Sequence, residues 1–154
     1  MTTTTTTEAT ETATGTSHDM VFVNLPVSDL ARSREFFTAV GYEFDERICD
    51  GNGLGLKLGE NIYAMLLQRD FFGTFHKAQT ASSGAHEVLT CLSARSRDEV
   101  DAIVDRAVAA GATDVRTEEQ GSFMYGRSYT DLDGHIWEIL WMDFEAATAA
   151  GIVG

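Results

Sequence analysis

One acidic residue interrupts the last apolar run of this sequence. Glu138 stands between Trp137 and Ile139 in a segment, residues 136–142, whose other members are all apolar. An unpaired carboxylate buried there would be costly, so Glu138 is expected to face a partner, a cation or a wet cleft. A structural salt bridge and a functional role in lining a cleft are the two interpretations that this position leaves open.

A second acid, Glu87, stands at the start of another predicted strand, where solvation alone would also explain it. If Glu87 and Glu138 share a cleft, repulsion between the carboxylates would raise one pKa and make a general base near neutral pH. The pair would also attract a cationic ligand. Glu138 is therefore the candidate catalytic residue, and both acids are candidate ligand-binding residues.

The segment MYGRSYTD supplies the other polar candidates. Arg127 could clamp a substrate carboxylate with two hydrogen bonds, or it could pair with Asp131 or Asp133. Tyr125 and Tyr129 alternate with Arg127 on one strand face. There they would either line a pocket or pack between sheets.

A long loop, residues 68–85, holds three phenylalanines within five positions and shows no strand periodicity. Long loops without structure of their own often act as lids or binding segments. We therefore expect Phe71, Phe72 and Phe75 to close an apolar pocket. The alternative is a hydrophobic contact across the joint between modules or between subunits.

The charge balance excludes several classes of partner. The 154 residues include 24 acidic and 11 basic side chains, a formal net charge of −13. Such a surface repels the phosphates of nucleic acids and of anionic membranes. No apolar run approaches the ~20 residues of a membrane span. Because Cys49 and Cys91 form no metal or redox motif, we expect a reduced, cytoplasmic protein.

The elements that must position these residues lie between two ends of simple composition. Residues 1–19 include ten threonines and lack the basic start and apolar core of a secretory signal. They are predicted to form a disordered tail. Residues 20–144 are predicted to form one domain, and residues 145–154, which are rich in alanine and glycine, a C-terminal tail.

Within the domain, one order of elements occurs twice. Strand periodicity at residues 21–27 is followed by a helical apolar stripe and then by three short strands. The predicted helix covers residues 30–40, and the strands lie near 42–47, 54–58 and 62–67. The second copy has a strand at 86–93, a helix at 97–110 and strands near 113–116, 123–130 and 136–142. An offset of 65 aligns Phe22 with Glu87, and an offset of 73 aligns Met65 with Glu138. The repeat predicts two modules, about 20–70 and 86–144.

Two stretches carry a family resemblance: VFVNLPVSDLARSREFFTAVGYEF at the start and FMYGRSYTDLDGHIWEILWMD at the end. They resemble the vicinal-oxygen-chelate superfamily, which includes glyoxalase I, bleomycin-resistance proteins, fosfomycin-resistance enzymes and extradiol dioxygenases. The resemblance covers nearly all of residues 20–143 and is nearest to the predicted lactoylglutathione lyases. It implies an α+β fold of two βαβββ modules, whose curled mixed sheets surround a cleft and carry helices on their outer faces.

The resemblance also implies positions for a metal site. In the metal enzymes of the family a divalent cation, such as Zn, Ni, Mn or Fe, binds side chains from four equivalent strands. These positions fall on Phe22, Met65, Glu87 and Glu138, and a slip of one residue would offer His86 instead of Glu87. Phenylalanine cannot ligate, and a thioether is a poor ligand for these cations. No cofactor is firmly implied, and a bound metal would rest on Glu138 with Glu87 or His86.

Two functions follow from the resemblance. The first is a metal-free protein that binds or sequesters an aromatic or cationic compound, which is favoured because Phe22 and Met65 make half of the site apolar. The alternative is a metal-dependent glyoxalase-type lyase that uses Glu138 and Glu87 or His86.

The open edges of the two sheets further predict a homodimer. Deleting residues 1–18 is predicted to leave stability and binding unchanged, because they offer almost no apolar side chain to dock.

Overall fold

The computed structural model describes residues 15–152, which form two four-stranded sheets joined by a linker. The first module contains β1 (Val21–Val27), α1 (Leu30–Val40), β2 (Glu43–Phe44), β3 (Gly53–Gly59) and β4 (Ile62–Gln68). A short helix, α2 (Arg69–Phe72), begins the linker. The second module contains β5 (Thr90–Ser93), α3 (Arg97–Ala109), β6 (Thr113–Gln120), β7 (Met124–Thr130) and β8 (Ile136–Met142), and α4 (Phe144–Ala149) follows it. The predicted α+β fold of two βαβββ modules is confirmed.

Both sheets have the same topology. The strand orders are β1-β4-β3-β2 and β5-β8-β7-β6. In each sheet the first strand pairs in parallel with the last strand of its module, and the other pairs are antiparallel. Consequently β1 and β5 each lie at a sheet edge with one free side.

Sequence signals set the ends of the two long helices. Asp29 precedes α1, and its side chain accepts a hydrogen bond from the backbone N–H of Arg32. Gly41 ends α1 at φ 113°, a left-handed conformation that glycine adopts without steric cost. Ser96 caps α3 in the same way, accepting from the backbone N–H of Glu99. Among the described helices, none is both long and apolar enough to cross a membrane.

The two helices pack between the sheets and give both modules one core. Phe37 of α1 contacts Trp137 of β8 edge to face, with 5.6 Å between the ring centroids. Phe36 likewise lies near Tyr129 of the second sheet. The buried core comprises Val27, Phe36, Phe37, Val40, Leu54, Leu56, Ala64, Leu66, Val100, Val104, Ala107, Ala112, Tyr129, Trp137 and Ile139. Because the inner face of each sheet meets this core, the other face of each sheet points outward. The expectation that the helices cover the outer faces is therefore wrong for this chain, since both helices contribute to the core that joins the two sheets.

A polar contact fixes the joint between the modules. Asp133, in the turn before β8, accepts hydrogen bonds from the backbone N–H and the hydroxyl of Ser28, both at 2.9 Å. Its carboxylate also pairs with Arg32 at 3.3 Å. In the same turn, the Nε2 atom of His135 donates to the carbonyl of Pro26 at 2.7 Å. These contacts hold the start of α1 against the turn between β7 and β8.

Four element predictions need correction. Strand β5 begins at Thr90 rather than residue 86, because Thr90 already pairs with Trp137 near the start of β8 and the preceding residues have no strand beside them. The strand predicted at 42–47 is reduced to Glu43–Phe44 and is followed by a 3-10 turn. Strand β6 continues to Gln120. The predicted C-terminal tail begins with α4, capped by Asp143. The predicted N-terminal tail lies largely outside the described residues.

Candidate functional site

The outer face of the second sheet carries one row of residues that crosses all four strands. In register, Cys91 of β5 lies beside Glu138 of β8, Glu138 beside Ser128 of β7, and Ser128 beside Arg116 of β6. Side chains alternate between faces along a strand, so these four share the face that points away from the helices. The row places a thiol, a carboxylate, a hydroxyl and a guanidinium next to one another.

A cavity of about 180 Å³, here called the Glu138 pocket, lies over this row. On the outer face it is lined by Cys91, Arg116, Glu118, Gln120, Met124, Gly126, Ser128, Glu138 and Leu140. Gly126 leaves space there, since a Cβ atom on it would approach the side chain of Leu140 to 3.1 Å. The Glu138 pocket is therefore small and has both apolar and polar lining residues.

The Glu138 carboxylate lacks a charge partner in this pocket. Its side chain is half-buried, and among residues 15–152 it forms no hydrogen bond or ion pair. Arg116 could have served, but its guanidinium is bonded to Glu118 at 2.6 Å. A structural salt bridge therefore does not explain Glu138, and a partly desolvated negative charge faces the pocket.

The negative charge of Glu138 affects the thiol pKa of the neighbouring Cys91. Its thiol pKa is raised above its ordinary value, first by partial burial and then by the negative charge of Glu138. A raised thiol pKa means that Cys91 is protonated at neutral pH and reacts slowly as a nucleophile. The effect also places the thiol and the carboxylate electrostatically close.

We predict that Glu138→Gln lowers the thiol pKa of Cys91, because it removes the negative charge that opposes the thiolate. Alkylation of Cys91 by iodoacetamide at pH 8, followed by mass spectrometry, should become faster in this variant. Glu60→Gln, in an exposed turn of the first module, is the matched control and should leave the rate unchanged. Equal rates in all three proteins would show that Glu138 does not act on the thiol.

The outer face of the first sheet is mainly apolar. Phe22 of β1 stacks on Tyr63 of β4, with ring centroids 5.2 Å apart and an angle of 12° between the planes. Two residues further along, Asn24 lies beside Met65. Phe22 is 49% exposed. Because the two outer faces lie on opposite sides of the shared core, one chain does not bring Phe22 and Met65 to Glu138.

The structure corrects the alignment of the two modules. Asn24 pairs with Met65 as Cys91 pairs with Glu138, so the first strands align with an offset of 67 rather than 65. The helix caps Asp29 and Ser96 show the same offset of 67 positions in the sequence. The residue equivalent to Phe22 is therefore Leu89, which lies two residues before Cys91 as Phe22 lies two before Asn24.

Glu87 and His86 are consequently displaced from the predicted site. Both are exposed in the loop before β5. They line a different cavity of about 380 Å³, here called the linker cavity, which does not include Glu138. The predicted pair of carboxylates in one cleft is thus not formed within the chain.

The predicted metal site does not fit the residues present. With Leu89 in the third position, Glu138 is the one member of the four that carries a ligating side chain for a hard or borderline cation. Within residues 15–152, no group of three or more His, Cys, Asp and Glu side chains is arranged to hold a metal ion. The donor set of the chain therefore gives no support to metal-dependent chemistry at this pocket.

Arg127 lies in the wall of the same sheet, but its side chain passes to the helix-facing side. Its guanidinium pairs with Asp101 and Asp105 of α3 at 3.0 and 2.9 Å, and with Asp114 of β6 at 2.8 Å. The partners of Arg127 are these three carboxylates, and not Asp131 or Asp133, which the sequence suggested. They engage both Nη atoms of the guanidinium, although Arg127 also borders the Glu138 pocket. A clamp on a substrate carboxylate therefore stays a prediction, and these ion pairs do not support it.

Tyr125 and Tyr129 share that helix-facing side. The Tyr125 hydroxyl donates to Asp101 at 2.6 Å, and Tyr129 is fully buried in the core. The alternation correctly predicted that the two tyrosines and Arg127 share a face. Packing in the core is one of the two alternatives that the sequence left open, and a ligand-lining role for the two tyrosines stays a prediction.

The three phenylalanines of the linker do not border the Glu138 pocket. Phe71 and Phe75 contact each other edge to face, with centroids 5.1 Å apart, and Phe75 is 61% exposed. Phe72 contacts His76 and lines the linker cavity. Arg69 ties this segment back on itself by donating to the carbonyl of Ala81 at 2.5 Å. Neither Phe71 nor Phe75 is in the lining of the linker cavity, so the lid role of the three phenylalanines stays a prediction.

Sequence reasoning missed most of the lining of the Glu138 pocket. Arg116, Glu118 and Gln120 alternate along β6, but the predicted strand ended at Arg116. Cys91 was passed over because it belongs to no cysteine motif. Residues 116–120 are all polar, so the sequence carries no period-two apolar signal for this part of β6.

Comparisons with known proteins identify the fold. A family model described as bleomycin resistance protein-like N-terminal matches residues 20–59. A hypothetical protein from S. aureus superimposes with a TM-score of 0.69 at 28% identity, over 82% of this chain and 95% of that one. A glyoxalase-related enzyme from Fulvimarina pelagi gives a TM-score of 0.68 at 19% identity, over 80% and 88% of the two chains. The fold is that of the glyoxalase/bleomycin resistance/dioxygenase superfamily. The matches support this superfamily and do not single out its lactoylglutathione lyase-like group.

A further structure of this fold contains a metal. It is a mutant of the fosfomycin resistance protein FosX from Listeria monocytogenes, in complex with Mn(II) and a dihydroxypropylphosphonic acid. It gives a TM-score of 0.58 at 14% identity, over 87% of this chain and 96% of that one. No curated protein matches this chain significantly. At such identities the likeness extends to the fold and not to the metal site.

Proposed function

We propose that this protein binds a cationic, partly aromatic small molecule in the Glu138 pocket, without a metal ion. The observation that carries the proposal is the half-buried Glu138 carboxylate without a partner among residues 15–152. A bound cation would supply the missing opposite charge, and charge-assisted contacts are stronger than neutral ones. The resemblance to bleomycin-resistance proteins supports binding or sequestration as the role.

We further propose that a second copy of the chain completes the site. A cavity of about 180 Å³ is below the ~300 Å³ at which ligand pockets usually begin. Placing the first sheet of one copy beside the second sheet of the other would set Phe22 and Met65 opposite Glu138. Aromatic and thioether side chains would then contact the apolar part of the ligand.

The free edges of the sheets support this arrangement. Val21 and Phe22, in edge strand β1, are 48% and 49% exposed. Val88 and Leu89, just before edge strand β5, are 64% and 50% exposed. Exposed apolar residues beside an unpaired strand edge normally mark a surface that another chain covers.

We predict a homodimer in solution on this basis. Sedimentation equilibrium at micromolar concentration should give twice the mass of one chain. Leu89→Asp should weaken association, because a charge would enter the covered surface. Val108→Asp is the control and should not, because Val108 is 40% exposed on α3 and lies on no strand edge. A stable monomer at micromolar concentration would contradict the completed site.

The glyoxalase-type lyase is not favoured. It needs a second and third ligand beside Glu138, but Glu87 and His86 line the linker cavity instead. Phe22 and Met65 of a second copy would add no ligand for a hard cation.

For location, we propose the cytoplasm, since Cys49 and Cys91 are both free thiols.

The test is a calorimetric titration of the full chain after treatment with EDTA. The probes are metal-free bleomycin and thioflavin T, both cationic and aromatic, with anionic fluorescein as the control. We expect saturable binding of a cationic probe that weakens with added salt and is unchanged by EDTA. About one tightly held ion per purified chain, or binding that returns only with Mn(II), Ni(II) or Zn(II), would contradict the proposal.

A further inference from the structure

A third cavity, here called the junction cavity, lies between the two modules where α1 ends. It measures about 400 Å³, which is within the usual range for a small-molecule site. It is bordered by the end of α1, by Leu58 of β3, by the end of β5 and by α3. It shares neither the Glu138 row nor the outer face on which that row lies.

Arg106 of α3 presents a guanidinium to this cavity. Its Nε atom donates to the carbonyl of Val40 at 2.6 Å and so caps the end of α1. This contact fixes the orientation of the guanidinium but uses only one of its five N–H donors. Gly41 allows the close approach, since a Cβ atom there would lie 3.3 Å from an Arg106 Nη atom.

Arg106 has no carboxylate partner among residues 15–152, although the chain has 24 acidic residues. Seven of the other arginines in this part of the structure pair with Asp or Glu. A guanidinium left without an acid in so acidic a protein is available for an anion from outside.

The remaining charges around the cavity do not neutralise Arg106. Glu99 lines it, but both carboxylate oxygens are engaged by Arg95, one by its backbone N–H at 2.5 Å and the other by its guanidinium at 3.4 Å. Counting Arg95, Glu99 and Arg106, the wall carries one net positive charge. This is a local reversal of the overall charge of −13.

The rest of the lining is suited to hydrocarbon. Leu58, Leu92 and Ile103 are half-buried and contribute apolar surface beside the core. Tyr42, also in the lining, lies next to the buried Tyr129. The cavity thus has a cationic end with phenol groups nearby and an apolar wall.

We propose that the junction cavity binds a small organic carboxylate. The carboxylate accepts two hydrogen bonds from the Arg106 guanidinium, and its short hydrocarbon chain lies against Leu58, Leu92 and Ile103. Since such a ligand contacts both modules only in the folded protein, its binding raises the melting temperature. This site is independent of the proposed function at Glu138.

The test uses sodium hexanoate as the probe and the full chain at low salt. Binding is followed by chemical shifts of backbone amides, with the melting temperature measured in parallel. We expect saturable shifts centred on the junction cavity and a rise in melting temperature. Hexanol, which has the same chain length without the charge, is the control and should bind at least about tenfold more weakly.

Three variants locate the site. Arg106→Gln should weaken hexanoate binding at least about tenfold, since it removes the charge. Because it also removes the α1 cap, Arg106→Lys is the second variant, and it should weaken binding less, by losing the bidentate geometry but keeping the charge. Arg47→Gln is the matched control and should change little, because its side chain is 85% exposed and does not line the junction cavity. Absence of saturable binding, or equal affinity in the wild type and both Arg106 variants, would overturn the proposal.

Discussion

Trp137→Ala is expected to lower the free energy of unfolding by about 3–5 kcal/mol, the usual cost of truncating a fully buried large aromatic side chain. Trp137 is 0% exposed, and its ring contacts Phe37 of the first module. Its indole N–H donates to the carboxylate of Asp131 at 2.9 Å, and Asp131 is itself buried. The substitution would leave a cavity at the joint of the modules and a buried carboxylate with one hydrogen bond fewer.

Urea denaturation followed by circular dichroism is the measurement. A single transition is expected before and after the substitution, because both modules share one core. Trp141→Ala is the matched control. Trp141 is only half-buried and stacks under Arg97, with 5.2 Å between the guanidinium carbon and the ring centroid, so a smaller loss is expected. Two separate transitions in the wild type would show that the modules unfold independently.

Glu138→Gln is expected to weaken binding of a cationic probe at least tenfold, which corresponds to about 1.4 kcal/mol. Glutamine keeps the size and the hydrogen-bonding capacity of the side chain but removes the charge. Folding should be unchanged or slightly more stable, since the described residues offer this carboxylate no ion pair to lose. Calorimetric titration and thermal unfolding of the same samples separate the two effects.

Glu60→Gln is again the control, because it makes the same change of net charge far from the pocket. A structural role for Glu138 predicts the opposite result. A Glu138→Gln protein that loses about 3–5 kcal/mol of stability and still binds the probe normally would indicate a structural ion pair, and it would remove the basis of the proposed function.

Local sequence signals determined the elements and their repetition. Caps at Asp29 and Ser96 and the glycine after α1 set the helices, because these groups satisfy backbone atoms that the helix itself leaves unpaired. Period-two alternation correctly predicted that Tyr125, Arg127 and Tyr129 share one face of β7. It also separated Phe22 from the residues of β1 that face the core. Such patterns depend on a few neighbouring residues and can therefore be read along the chain.

The tertiary structure decided which face of each sheet is inside and how the modules align. The face that carries Arg127 is inner because α3 brings Asp101 and Asp105 to it from more than 20 positions away. The alignment of Leu89 with Phe22, and the separation of Glu87 from Glu138, follow from pairing between β5 and β8. Alternation has the same period on either face, and strand register is set by the partner strand. Neither choice is therefore contained in the local pattern, and both are decided by contacts between distant segments.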